Sequence, residues 1–479
     1  MKEKISQEGL TVKKKDDMSE WFTQLMIKSE LADYSSVSGC IIFRPASYKL
    51  WEKIRNACDE EFKKIDVQNC YFPLFIPEKS FEKESEHIQG FAPEVAWVTQ
   101  AGNTKLGEKL AVRPTSEAIM YESYSKWIRS WRDLPLLLNQ WNNVVRWEFN
   151  NPVPFFRTRE FLWNEMHTAF SSEEEALEHG KKVMKSYEKI TKDLMALPGI
   201  YGRKTNNEKF AGAVFSEKMH HFLPNGKVIE GTCFHYDGQN FAKAYKIKFK
   251  DKNENEKFAF QNTHAISTRM LGTMLAMHSD DKGLVIPPKM ADNKIVIIPL
   301  LFKGKEKKVL EISKKIKSKL KKFNPILDER EEYSPGRKFS EWELKGIPIR
   351  IEIGPKDLEK NSVIIVKRNT FEKLQIKIAD VEKKIPKILE DIQNELYKNA
   401  EKNLKNSIKR TENKKEMIDF IQDKKMVKIP LSNSESVEKK LKEETGAKTL
   451  FIDSEEIKNE KCIISGKKAD YWVYVGKTY

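Results

Sequence analysis

The sequence predicts an α+β protein of several domains, and three observations carry that reading. Amphipathic helices and short apolar strands are interspersed through residues 1–290. Around Ala291 the pattern changes to strands alternating with helices, which suggests a small α/β unit. A lysine-rich stretch from about Lys398 to Lys415 then links to a short C-terminal α/β piece. With 479 residues the chain has room for roughly two to four domains and a sizeable core.

Each element rests on a pattern. The stretch to about Asp33 reads as a helix with Trp21 and Leu25 on one side. A second helix runs from about Ala46 to Lys64, where Leu50, Ile54, Cys58 and Phe62 keep the helical period. Cys70 to Pro77 is a short apolar strand whose prolines mark an edge or an interface. A strand ends at Pro114, and a hydroxyl residue opens a helix through about Trp131. Strands follow at Asn142–Phe149 and Glu160–Phe170, then a basic amphipathic helix at Ser172–Leu197. Gly212–Leu223 and Asn240–Phe249 are strand-like, and a helix spans Thr268–His278. In the second unit, Lys294–Leu300, Ile349–Ile353 and Val363–Lys367 read as strands and Glu306–Lys322 as a helix. A long helix then aligns Ile385, Leu389, Ile392 and Leu396.

Composition narrows the class. Apolar residues make up 39% and charged residues 33%, a globular balance that excludes a disordered chain. No apolar run is long enough to span a membrane, and Met1-Lys2-Glu3-Lys4 leads into polar sequence without a signal core. Five scattered cysteines make no disulfide framework and fit a cytoplasmic location. The net charge of +15 suits a polyanionic partner, and equally a lysine-rich surface.

Strand alternation gives the sharpest chemical signal. Trp163, Glu165 and His167 fall on one face of their strand and could line a polar pocket or an exposed face. Arg146 and Glu148 share a face of the preceding strand, and Arg157 and Arg159 lie in the loop between. Three arginines near one hairpin suit phosphate, which guanidinium binds through two hydrogen bonds; surface ion pairing gives the same pattern. No Walker loop or dinucleotide fingerprint occurs, so any nucleotide must be held by side chains on a sheet. His220-His221 reads as a surface pair.

A series of segments then follows a recognisable order. They are Arg113-Pro114-Thr115-Ser116-Glu117, Arg146-Trp147-Glu148, the run Phe156 to Trp163, Glu208-Lys209-Phe210-Ala211-Gly212 and Asp237-Gly238-Gln239-Asn240-Phe241. Ser267-Thr268-Arg269, His278 to Val285 and Lys345 to Pro355 complete the set. Each is weak alone; together, over nearly the whole chain, they resemble the prolyl-tRNA synthetases of archaeal and eukaryotic type, within class II of the aminoacyl-tRNA synthetases. The resemblance implies a catalytic domain over 1–290, built on an antiparallel sheet with flanking helices. An anticodon-binding α/β domain over 291–400 and a small C-terminal domain over 401–479 would follow. It implies ATP and magnesium as cofactors, L-proline and tRNA(Pro) as partners, and a cytoplasmic homodimer with the Phe72-Pro73 region at its interface. The short distance from His167 to Ser267 leaves no room for the editing domain that the bacterial type inserts there.

Residue roles follow from the same resemblance. Arg146 and Arg269 would be the catalytic pair. Arg146 would bridge the α-phosphate and the proline carboxylate. Thr115, Glu117, Arg146, Trp163, Glu165, His167, Phe210, His235 and Ser267 would form the proline pocket. Arg146, Glu148, Arg157, Thr158, Glu230, Cys233, Ser267 and Arg269 would hold ATP, with Glu230 on magnesium. Glu343, Arg350, Lys356 and Asp357 would read the anticodon. The attacking carboxylate is already ionised, so positioning and charge stabilisation are the enzyme's task.

The chain also departs from the family pattern. Glu230 stands at a position usually glutamine, Cys233 at one usually threonine, and Met166 and Ser279 at glycines. Ser432, Val437, Cys462 and Ser465 stand where four zinc cysteines often occur; one thiolate makes no tetrahedral site, so no structural zinc is predicted. Two other readings compete: a paralogue that activates an amino acid without charging tRNA, and a non-catalytic basic RNA-binding protein.

Overall fold

A computed structural model describes residues 9–80, 94–148 and 152–479; residues 1–4 and Phe149, used above, lie outside them. The first unit is organised by one sheet. Its strands are β1 (Gln68–Asn69), β2 (Leu136–Val145), β3 (Glu160–Phe170), β4 (Ile200–Arg203), β5 (Phe215–Phe222), β6 (Lys227–Gly238) and β7 (Phe260–Ser267). They lie in the order β4–β5–β6–β7–β3–β2–β1. All neighbours are antiparallel except β1 beside β2.

Helices cover one face. In α1 (Met18–Lys28), Asp17 accepts from the first free amides, and α2 (Pro45–Lys63) opens on proline. α3 (Glu117–Trp127) follows the Pro114 turn. α4 (Glu173–Lys189) is capped by Ser172, with three glutamates in its first turn favouring the helix dipole. Trp21, Phe22, Ile54, Phe62 and Tyr187 from α1, α2 and α4 pack with Phe234 and Met270 in one core. Gly180 lets α4 approach the sheet: a Cβ there would sit 2.3 Å from Phe234 Cζ.

Several expected elements change. β2 begins at Leu136 and ends at Val145, because its partner β3 starts at Glu160; Arg146 and Glu148 therefore lie beyond the strand. Asn240–Phe249 is not a strand: α5 (Asn240–Tyr245) buries Phe241, Ala242 and Tyr245 on one side, and only Lys248–Lys250 is extended. In Cys70–Pro77, only Phe75–Pro77 pairs, against Leu110–Val112. The guanidinium of buried Arg113 holds the Phe72 carbonyl (2.8 Å) in place of a ladder bond. The Ser172 helix passes into a π-helical turn at Ile190–Leu194. β6 and β7 were not anticipated as strands. After α6 (Arg269–His278), the long helix α7 (Val381–Ser407) runs through the supposed linker. Leu396, Ala400 and Leu404 stay buried along it, and Ile408–Arg410 then pairs with Met426–Leu431.

The second unit has a five-stranded sheet, in the order Ile326–Leu327, Ile295–Pro299, Ile349–Ile353, Ser362–Lys367 and Lys373–Lys377. Arg368 ties it to the first unit through two bonds to Asp280 (2.7 and 2.8 Å). Gly283, at φ +142°, passes so close to Leu344 that a Cβ would meet its Cα at 2.3 Å. The C-terminal strands extend the main sheet: Ile452 pairs with Arg203, and Lys477 with Lys227. The Tyr479 ring stacks on Phe156 (centroids 4.7 Å apart). No helix among the described residues is long and apolar enough to cross a membrane.

Candidate active site

Sheet register assembles the site. Across β2–β3–β7–β6–β5, Gln140, Glu165, Ala265, Cys233 and Lys218 form one row of partners. His167, Thr263, His235 and Ser216 form the next. Asn142, Trp163 and Ser267 form a third. Strand alternation puts all of them on one face.

That face opens on a cavity of about 270 Å³, lined by Thr115, Glu117, Arg146, Trp163, Phe210, Glu230, Cys233, His235, Ser267 and Arg269. A contiguous hollow of about 160 Å³ shares Glu230 and Arg269 and adds Arg157 and Lys448. The Arg146 guanidinium lies over the rings of Trp163 and Phe161 (5.3 and 5.4 Å) and donates from Nε to the Pro114 carbonyl (3.1 Å). Phe210 packs beside His235 (centroids 4.7 Å apart). The Thr115 hydroxyl donates to the buried Glu117 carboxylate.

Behind this lining sits a hub centred on the fully buried Glu165. Glu165 accepts from the Ser116 amide (2.9 Å) and hydroxyl, Gln140 (3.1 Å), Asn142 (2.6 Å) and His167 (3.3 Å). Asn142 in turn accepts from the Trp163 indole (2.7 Å), so the hub fixes the ring that floors the cavity. Burial alone would raise the Glu165 carboxyl; the His167 bond and charge, with the Ser116 and Asn142 donors, bring it down to about 2. Burial opposes a charge on His167, but its Glu165 bond and the charges of Glu117 and Glu165 hold it above the usual imidazole range. Burial and the Lys218 charge lower His235 to about 3, so that ring is neutral.

The other expected residues fall elsewhere. Thr158 is buried and does not line the cavity, and Glu148 is exposed. Arg159 turns away from the arginine cluster: it donates to the Ser38 carbonyl (3.0 Å) and covers Trp147. His220 and His221 are buried, correcting the surface reading. Met166 points into the apolar core. In the second unit, Arg350 bonds Glu343 (2.7 Å) and Glu352 (2.9 Å). Lys356 is exposed, and Asp357 caps its own helix through the Gly354 amide (2.9 Å).

Comparison with known proteins identifies the family. Residues 97–278 match the class II tRNA synthetase core domain, 294–388 the anticodon-binding domain, and 414–479 the prolyl-tRNA synthetase C-terminal domain. The proline–tRNA ligase of Natranaerobius thermophilus is 42% identical over 95% of this chain and 94% of its own. The chain belongs to the prolyl-tRNA synthetase family. The cytoplasmic proline–tRNA ligase of Arabidopsis thaliana is 43% identical over 98% of this chain and 91% of its own. The crystal structure of the Cryptosporidium parvum prolyl-tRNA synthetase, complexed with halofuginone and AMPPNP, superimposes with a TM-score of 0.93 at 42% identity. That match covers 100% of this chain and 99% of the other. Membership makes the chain an ATP-dependent aminoacyl-tRNA ligase for proline.

Sequence reasoning missed several ionisable groups at this cavity. Lys218 lines the cavity, and Lys204 lies buried behind Glu230. Glu208 lines both hollows. Asp237 is fully buried beside Thr263, which donates to it (2.9 Å); burial, then nearby Glu117, pushes its carboxyl well up. Alternation along Cys233, His235 and Asp237 was the available signal for Asp237, had 227–238 been read as a strand.

Magnesium fits poorly on Glu230. One carboxylate oxygen meets Lys204 Nζ at 2.7 Å and the other Lys218 Nζ at 2.6 Å. A divalent ion on either oxygen would stand next to an ammonium group and be repelled.

Proposed function

We propose that the cavity binds L-proline beside the α-phosphate of ATP and forms prolyl-adenylate, and that the same enzyme then loads the 3' end of tRNA(Pro). The observation that carries this reading is the convergence of an indole, a phenyl ring, a Thr–Glu acceptor pair and two arginines on one hollow. Proline needs all of these: Trp163 and Phe210 for its ring, Thr115 and Glu117 for its ammonium, and Arg146 for its carboxylate. Glu165 and His167 act one layer back by fixing Trp163 and Ser116. Arg269 and Arg157 line the adjoining hollow and take the phosphate chain, while Ser267 and Cys233 line the main cavity beside it. The guanidinium groups stabilise charge that builds on the α-phosphate as the carboxylate oxygen adds and pyrophosphate leaves. Magnesium would arrive with the nucleotide and shield its charge; no step is assigned to a metal on Glu230. ATP–pyrophosphate exchange run with all twenty amino acids tests the reading: exchange should require proline, followed by charging of tRNA(Pro). Exchange with another amino acid only, or none, would overturn it.

The three units 1–290, 291–400 and 401–479 would divide the work. The Glu343–Arg350 pair is assigned to the anticodon, where arginine can pair with guanine edges once it leaves its carboxylates. Arg350→Ala is expected to raise KM for tRNA about tenfold or more while leaving ATP–pyrophosphate exchange within twofold. Val437 and Cys462 lie in an apolar cluster with Ile429 and Leu441, which supports a C-terminal unit held by packing without zinc. Exposed Tyr71, Phe75 and Trp127 surround the Phe72 segment and suit a cytoplasmic homodimer interface. Sedimentation velocity should give a dimer for the unaltered chain and a shift towards monomer for Tyr71→Glu with Trp127→Glu.

A further inference from the structure

Glu230 reaches the cavity through a β-bulge. Lys218 pairs with Cys233 and His220 with Glu230, so β6 carries one residue more than β5 between these two pairs. Without it, Glu230 would face away from Cys233 and His235. The bulge aims a carboxylate at the cavity, and two lysines meet it there.

The two lysines are not equivalent. Lys204 is 4% exposed and also donates to the Thr449 carbonyl (3.3 Å) of the C-terminal unit, which anchors it. Lys218 lines the cavity, and its side chain keeps 22% exposure. An entering polyanion can therefore draw Lys218 off Glu230 while Lys204 stays and keeps the carboxylate neutralised. Neither state leaves a buried charge without a partner, the arrangement that costs most.

We propose that Lys218 is a phosphate-binding residue of the adenylation site, parked on Glu230 until the nucleotide arrives and supplying positive charge where a divalent ion on that carboxylate is disfavoured. This rests on the reading of the cavity as the ATP site. Arg146 and Arg269, from just beyond β2 and β7, and Lys218, from within β5, then surround the phosphates, and a fixed ammonium group takes the place that a metal on Glu230 would have had. Affinity for the triphosphate accordingly depends little on free magnesium.

Isothermal titration calorimetry with AMPPNP, in EDTA and in millimolar magnesium, tests it on the full chain. The unaltered protein should bind in EDTA within about threefold of its affinity in magnesium. Lys218→Met should lose about tenfold or more in EDTA, and Lys218→Arg should restore most of it. Lys204 remains on Glu230 in both variants, so an unchanged thermal midpoint separates lost binding from lost folding. In exchange assays the Met variant should raise KM for ATP and leave KM for proline within about twofold. Unchanged AMPPNP affinity of Lys218→Met in EDTA overturns the proposal, as does strict magnesium dependence of the unaltered protein. No binding in either buffer, together with no proline-dependent exchange, sinks the ATP-site reading itself.

Discussion

Replacing Arg146 with alanine is expected to slow proline-dependent ATP–pyrophosphate exchange by roughly two orders of magnitude or more, about 3 kcal/mol of transition-state stabilisation. The guanidinium lies over Trp163 and Phe161, and its Nε is tethered to the Pro114 carbonyl, so it is aimed before substrate arrives. Preorganised charge of this kind incurs no reorganisation when the α-phosphate gains charge. The loss should fall on kcat as well as KM, because the contact strengthens in the transition state. Arg146→Lys should recover only part of the rate, since an ammonium group cannot present two parallel donors. Steady-state exchange kinetics measure both. A rate for Arg146→Ala within fivefold of the unaltered enzyme would remove Arg146 from the reaction.

Glu165→Leu is expected to destabilise the catalytic domain by about 3–5 kcal/mol, because it strands His167 and leaves Gln140, Asn142 and Ser116 donors without their acceptor. Denaturant unfolding followed by tryptophan fluorescence reads this, with exposed Glu178→Ala as the control; a shift no larger than the control's would refute it. The same pair predicts a pH dependence. His167 is raised in the folded state, so its contribution is complete below about pH 6.5 and lost as pH rises through its folded value. Glu165 is depressed, so its contribution is complete above about pH 4.5 and lost as pH falls towards about 2. The pair contributes most between those limits. The stability difference between the unaltered chain and His167→Gln should therefore shrink from pH 6 to pH 9. An unchanged difference across that range would show His167 to be neutral.

The hub shows why alternation on β3 was readable while its consequences were not. Side chains two apart share a strand face whatever the strand pairs with, so Trp163, Glu165 and His167 were grouped from sequence alone. That Glu165 is buried and holds five donors depends on β2, β7 and α3 meeting it, which no local pattern contains. The same holds for Arg146: the hairpin grouped it with Arg157 and Arg159, yet β2 stops one residue before it and its guanidinium lies over Trp163.

Sequence by itself determined the family, through ordered motifs, and the periods of most helices and of β3, because these depend on neighbours along the chain. It also marked Glu230 and Cys233 as departures. Tertiary structure alone decided what Glu230 does. A bulge on β6 turns it towards the cavity, and Lys204 and Lys218 come to it from β4's end and from β5. Helix continuation through Lys398–Ser407 was likewise decided by burial of Leu396, Ala400 and Leu404 against other elements. The physical reason is common to both. Register, bulges and burial are set by partners distant in sequence, and a charged side chain's chemistry is fixed by which of those partners it meets.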